Sequence, residues 1–263
     1  MLELSPLDIY KKETIERVKS YTTNMPLQES LKGFLKEAGK ANYGFGFLWL
    51  GLPIIQMPQD LQALQEIIWE TKPDLIIETG IAWGGSLIFK ASMLALLEMC
   101  GVIEQGHVIG IDIDIRSHNK QSILSHPLSK KITMIEGSSI DEDIIRQVKE
   151  LSKGKKVLLC LDSNHTHKHV LEELKAYAPL VSKGSYCLVS DTSIENWPDD
   201  MVVSGRPWGK GNNPKTAVWE YLDCLKSGEY LAADGEVLNF EIDKHIENEL
   251  LITGSPDGFL KRI

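Results

Sequence analysis

Five short segments of this chain are almost wholly aliphatic: DLIIET (74–79), HVIGIDID (107–114), ITMIEG (132–137), KVLLCLD (156–162) and SYCLVSDT (185–192). They carry runs of Ile, Leu and Val rather than the polar–apolar alternation of a half-exposed strand, so each calls for burial on both faces. Helical patterns separate them, among them a helix over 60–70, a long apolar helix ending near Met99, one starting at Asp141 and HKHVLEELKAYAPLV. Strand–helix alternation with short connections predicts a mostly parallel sheet covered by helices, a Rossmann-like α/β fold. The alternation stops at the C-terminal end. VLNFEIDKH and ELLITGSPDGFLKRI read as two strands with no helix between them, which predicts a closing antiparallel hairpin.

The first 40 residues are polar and amphipathic, with Leu27, Leu31, Phe34 and Leu35 at helical spacing. NYGFGFLWLGLPIIQMPQDL follows and reads as an irregular apolar segment lying on the main domain, as a cap, a subunit contact or a lid. The chain thus divides into an N-terminal helical or cap segment, 1–58, and a main domain, 59–263. The apolar stretch points to a homo-oligomer.

Composition narrows the function. The 263 residues are 43% hydrophobic and carry a net charge of −9, which argues against general nucleic-acid or anionic-membrane binding. No apolar run reaches the roughly 20 residues of a membrane span. The start lacks the basic-then-apolar layout of a signal peptide. Four cysteines without C-x-x-C spacing, two of them inside strand-like runs, predict reduced thiols in a cytoplasmic protein.

Polar residues collect where the aliphatic segments end. Glu78-Thr79-Gly80-Ile81-Ala82-Trp83-Gly84-Gly85-Ser86 joins a strand to a helix. Its glycines permit a sharp turn and close approach of a ligand, and the helix start offers free N–H groups to a carboxylate or phosphate. Ala82 stands where the dinucleotide G-x-G-x-x-G has its middle glycine, which speaks against a nicotinamide oxidoreductase. Glu78 suits a ligand ammonium. Asp112 suits ribose hydroxyls, and Gly137-Ser138-Ser139 offers small polar groups where an adenine ring would lie. Asp162 and Asp191 end neighbouring strands and suit Mg²⁺, which needs few protein ligands. His165 follows Asp162 by three residues and is placed for a general base. With His167 and His169 it also raises zinc, for which no fourth ligand is evident. The loop 206–217 carries Arg206, Trp208 and Asn212, suited to a polar organic substrate. Each group also has a plainer reading: a tight turn, solvated aspartates, a serine-rich helix start, a structural loop.

The segments PDLIIETGIAWGGS, GIDIDIR, LDSNHTHKHVLEELKAYAPLVSKGSY, DTSIENWP and RPWGKGNNPKTAV, in this order over roughly residues 45 to 225, resemble the cephalosporin hydroxylase (CmcI-type) family. This group of class I S-adenosylmethionine-dependent methyltransferases also contains rhamnosyl O-methyltransferases. The resemblance implies a methyltransferase with Mg²⁺ acting on a hydroxyl of a sugar or secondary metabolite. A more distant similarity, to catechol O-methyltransferase, places Glu78, Gly80 and Ser86 at the methionine end of the cofactor, Asp112 on the ribose and Ser139 near adenine, and Ser163 joins this set. It places Asp162 and Asp191 on the metal and His165 where that enzyme has a lysine base. Related sites often carry a further acid or amide ligand beside the second aspartate. Here Asp191 is flanked by Ser190 and Thr192, so the third metal position falls to Ser190 or Thr192, through a water, or to Asn164. The family name also keeps open a non-catalytic partner of an oxygenase.

Overall fold

The computed structural model describes residues 5–197 and 205–263. Two helices open the chain, α1 (Pro6–Thr23) and α2 (Met25–Lys40), followed by a two-stranded hairpin, β1 (Phe47–Trp49) and β2 (Leu52–Ile54). Then come α3 (Pro58–Thr71), β3 (Leu75–Thr79), α4 (Gly85–Met99), β4 (His107–Asp112), α5 (Ser117–Ser125), β5 (Ile132–Glu136), α6 (Glu142–Leu151), β6 (Val157–Leu161), α7 (His167–Tyr177), β7 (Tyr186–Val189), α8 (Pro214–Leu225), β8 (Phe240–Ile242), α9 (Lys244–Leu250) and β9 (Phe259–Arg262).

The seven main strands form one sheet in the order β5-β4-β3-β6-β7-β9-β8. The pairings from β5 through β7 are parallel; β9 runs antiparallel to both of its neighbours. Every residue of β3 and of β6 is buried, as aliphatic runs covered on both faces require. One apolar cluster lies on each side of the sheet. Ile77, Leu159 and Val189 pack with α7 and α8 on one side, Ile76, Leu158 and Phe259 with α3 and α4 on the other. Each fully buried Ile or Leu contributes about 1.5–3 kcal/mol.

Hydrogen bonding carries on past the strand ends. The amide of Gly80 donates to Ile111 O (2.8 Å), that of Asp162 to Thr79 O (3.0 Å) and that of Ser190 to Leu161 O (2.9 Å). Gly80, Asp162 and Ser190 are thereby set side by side along the carboxyl edge of the sheet, where open α/β folds bind ligands.

Two expectations are corrected. The 43–54 stretch, expected to be irregular, holds a 3-10 turn at Tyr43–Phe45 and the β1–β2 hairpin. Leu50 and Gly51, both at positive φ, form its two-residue turn, the geometry that matches strand twist. Trp49 donates Nε1–H to Ser92 Oγ (3.0 Å) and meets Phe89 edge-on, so the hairpin is riveted to α4. Leu52 and Ile54 enter the same core as α3 and α4, which ties the segment before residue 59 to the main domain. At the other end the β8 and β9 strands do pair antiparallel, but α9 stands between them. Asp243 caps that helix by accepting from the amides of His245 and Ile246.

None of the described helices is long and apolar enough to cross a membrane. The four cysteines are unpaired, and Cys160 and Cys187 are buried.

Candidate active site

The glycine-rich turn sits on the carboxyl edge between two parallel neighbours because β3 lies between β4 and the central strand, β6. Gly80 has φ +88°, and a Cβ there would lie 2.0 Å from the Asp162 carbonyl oxygen, so glycine is required twice over. A Cβ at Gly85 would lie 2.2 Å from the Pro53 carbonyl oxygen, which lets the hairpin approach the start of α4. Between hairpin and turn lies a cleft of about 310 Å³ lined by Pro53, Gln56, Gly80, Trp83, Ser86 and Asp162. Gln56, Ser86 and Asp162 also line a deeper cavity that reaches Asp60, Glu78 and Lys90.

Glu78, 1% exposed, accepts from Lys90 Nζ on α4 (2.8 Å), a fully buried ion pair. Burial is the largest single influence and disfavours the Lys90 ammonium, but the charge and hydrogen bond of Glu78, with smaller contributions from Cys160 and Asp162, together outweigh it and raise the Lys90 pKa. The second oxygen, Oε2, is buried without a partner. Asp112 turns its carboxylate onto the turn itself: Oδ2 accepts from the amides of Ile81 (2.8 Å) and Ala82 (3.4 Å), and Oδ1 from Asp114 (3.1 Å). Ala82, at φ +45°, is further held by Asn119, whose Nδ2 donates to its carbonyl (2.7 Å).

Ser139 and Ser163 come together although 24 residues of sequence separate them. Both donate their hydroxyls to Glu173 Oε1 on α7, at 2.5 and 2.6 Å. Glu173 has no exposed surface and its Oε2 also lacks a partner.

Asp162, His165 and Asp191 converge at the ends of β6 and β7, each offering a ligand atom, all within 4.8 Å of one another. His165 Nε2 lies 3.0 Å from Asp191 Oδ2. Burial opposes the imidazolium, but the charge and hydrogen bond of Asp191 prevail and lift its pKa to about 9. The same pair holds Asp191 below its ordinary range against the effect of burial. Asp162 is displaced the other way. Burial and then the Asp191 charge push its pKa well above that of an ordinary carboxyl, while Gln56 Nε2 donates to its Oδ2 (3.0 Å). Two carboxylates crowded into one partly buried pocket are what a hard divalent cation neutralises. Ser190 lines the deeper cavity beside Asp162.

The three histidines diverge. His165 goes to Asp191, His167 to Thr216 Oγ1 and Glu220, and His169 to Ser139 and Glu173. They do not build a common zinc site. The 206–217 loop folds over His165: Trp208 meets its ring edge-on (4.8 Å between centroids), and the Arg206 guanidinium lies 5.0 Å from the Trp208 ring centre. Asn212 Oδ1 accepts from the His167 amide (3.0 Å) and Asn213 caps α8, anchoring the loop to both helices. Residues 198–204, which precede this loop, lie outside the described residues.

The model of the family described as Rhamnosyl O-methyltransferase/CmcI matches residues 41–263. The chain belongs to this family. Membership makes it an S-adenosylmethionine-dependent O-methyltransferase by family. The rhamnosyl O-methyltransferase of Mycobacterium tuberculosis (strain H37Rv) is 28% identical over 221 residues, 81% of this chain and 77% of that protein. That of Mycobacterium leprae is 31% identical over 154 residues, 57% of this chain and 62% of that protein. A solved CmcI structure with Mg and SAM has a TM-score of 0.53 at 21% identity, over 83% of this chain and 77% of that one. A CmcI apo-structure has a TM-score of 0.52 at 22% identity, over the same shares. These structures share the class I methyltransferase fold. Its reversed strand β9 also separates this family member from an all-parallel nicotinamide-binding sheet.

Sequence reasoning missed Gln56, Lys90 and Glu173. Gln56 reaches Asp162 across 106 residues and left no local signal. Glu173 did leave one: His169, Glu173 and Tyr177 recur every four residues on one face of α7.

Proposed function

We propose that this chain moves the methyl group of S-adenosylmethionine to a hydroxyl of a sugar or secondary metabolite with the help of Mg²⁺. The observation that carries this reading is the meeting, at Asp162, of a glycine-built cleft and a three-residue cation pocket. The chain's own groups suit both ligands. The free amides at the start of α4 suit the cofactor carboxylate, and the orphaned Glu78 Oε2 suits its ammonium. Gly80, Ser86, Asp112, Ser139 and Ser163 border the rest of its path. Asp162 and Asp191 would hold the metal, with Ser190 beside them.

When bound, S-adenosylmethionine supplies the methyl group and Mg²⁺ supplies positive charge that favours ionisation of the acceptor hydroxyl. Asp162 and Asp191 fix where that hydroxyl sits, which turns a bimolecular encounter into an oriented approach. His165 is the base: once Asp191 is engaged elsewhere, its Nε2 is free to take the acceptor proton. Trp208 holds the imidazole edge-on and keeps water from it. The outward-facing Phe45 and Leu48 support association of copies into a homo-oligomer, and the four free thiols support a cytoplasmic setting.

The test is transfer of labelled methyl from S-adenosylmethionine to a panel of rhamnosyl glycosides and hydroxylated metabolites, with Mg²⁺ and with EDTA. Labelled product in Mg²⁺ that disappears in EDTA is expected. Adenosyl-ligand binding with no transfer to any acceptor would contradict the catalytic reading and favour an accessory role.

A further inference from the structure

Asp60 is a carboxylate in a place suited to an aliphatic side chain. It heads the buried stripe of α3, which continues through Ala63, Leu64, Ile67, Ile68 and Thr71. The residue is 8% exposed, and its Oδ2 accepts from the Gly254 amide (2.9 Å). Its Oδ1 is buried with no partner at hydrogen-bond distance. Burial, opposed by Thr253 and the Gly254 amide and aided by the Asp191 charge, lifts the pKa of the carboxyl to about 6. Glu78 has Lys90 and Asp191 has His165, but Asp60 has no such cation among the described residues. A buried carboxylate without a cation or a full set of donors is costly, and such a group calls for a ligand that donates.

The cavity that Asp60 lines leads to the cation pocket. Its floor is one row of the sheet, with Glu78, Cys160, Leu188 and Phe259 in register across β3, β6, β7 and β9. Asp162 and Ser190 border it at the carboxyl edge. Asp60 is not one of the residues whose ligand atoms gather within 4.8 Å. Two oxygens bound to one Mg²⁺ at about 2.1 Å are at most about 4.2 Å apart, so Asp60 does not join both Asp162 and Asp191 on one ion. It shares their cavity one step further out.

We propose that Asp60 is a positioning residue for the cation, its Oδ1 accepting a proton from a water of the ion's hydration shell. The proposal rests on the Mg²⁺ part of the reading above. Two aspartates leave most positions of an octahedral ion to water, and Mg²⁺ gives up its waters reluctantly. Those waters are strong donors, and the groups that receive their protons fix and strengthen the site. Asp60 thus adds a third carboxylate, drawn from α3, without touching the ion. Glu78 lines the same cavity but is already neutralised by Lys90.

The experiment is titration of the full chain with Mn²⁺, an octahedral, oxygen-seeking stand-in for Mg²⁺, read from the EPR signal of the free ion. Asp60→Asn keeps an oxygen for the Gly254 amide and sets an NH₂ donor where Oδ1 was. It is expected to weaken Mn²⁺ binding at least about tenfold. S-adenosylhomocysteine affinity in EDTA should stay within about threefold. The melting temperature in EDTA should be no lower than that of the native chain, since a crowded negative charge is gone. A merely structural residue would lower the melting temperature and leave the ion's affinity alone. Should Asp60→Asn fail to fold, Asp60→Ser takes its place, with the same loss of Mn²⁺ affinity expected. A smaller loss of Mn²⁺ binding would overturn the proposal. So would an equal loss of Mn²⁺ and S-adenosylhomocysteine binding, which marks a damaged cavity. A native chain that takes up no Mn²⁺ would instead remove the Mg²⁺ reading from which the proposal starts.

Discussion

The two halves of the cleft are built differently. On the cofactor side, from Gly80 to Ser163, nearly every polar group is committed: Asp112 to the amides of the turn, Glu78 to Lys90, Ser139 and Ser163 to Glu173. On the reactive side, Asp162 and Asp191 crowd together around one histidine, and a loop rests on that histidine through a ring contact. The first half is held in place by its own hydrogen bonds, with Glu78 Oε2 and Glu173 Oε2 left without partners, while the second balances two carboxylates with a single imidazolium. Such a contrast fits an enzyme that holds its cofactor in a finished cradle and completes its reactive centre when cation and acceptor arrive.

The largest expected effect lies in the finished half. Lys90→Met strands the Glu78 charge in the core and should cost about 3–5 kcal/mol, read from urea unfolding. A loss below about 1 kcal/mol would mean that the pair is not the rigid base of the cradle. In the reactive half, Asp162→Ala should lower methyl transfer at least about a hundredfold while leaving the fold intact. S-adenosylhomocysteine affinity should stay within about threefold, since Glu78 and the free amides of α4, the groups proposed to hold the cofactor, keep their places without that carboxylate. Unchanged turnover would remove the metal reading. Gly80→Ala joins the halves, because its Cβ would strike the Asp162 carbonyl. It should destabilise the chain by about 1–3 kcal/mol and weaken adenosyl-ligand binding together, in thermal melts with and without ligand.

The smallest effect is that of pH. The His165 pKa lies near 9 in the folded chain against an ordinary 6.5, so its pairing with Asp191 favours the fold below pH 6.5. That contribution fades as pH rises through about 9. After screening at half-exposed Asp191 it amounts to about 1–2 kcal/mol, to be read from melts across this window in EDTA. Replacing His165 with Gln should flatten the profile.

The parallel sheet and its carboxyl-edge acids were legible because aliphatic runs of five or six residues, each ending in Gly or Asp, have few other ways to fold. Gly80 and Asp162 were found from their place at strand ends alone. The β1–β2 hairpin was read as irregular because its strands span only three residues each and its turn uses Leu50 at positive φ, which composition does not suggest. The helix α9 escaped because its seven residues sit between two strand-like pieces. The commitments of Ser139 and Ser163 to Glu173, and of Gln56 to Asp162, depend on elements that meet only after the sheet has formed. No local pattern encodes which hydroxyl a buried carboxylate will claim.

The contrast between a finished cradle and an unfinished reactive centre is tested most directly by titrating S-adenosylhomocysteine into the chain in EDTA and again in Mg²⁺. The account predicts binding in both, with affinities within about threefold of each other. Binding that requires Mg²⁺, or no binding in either, would contradict it.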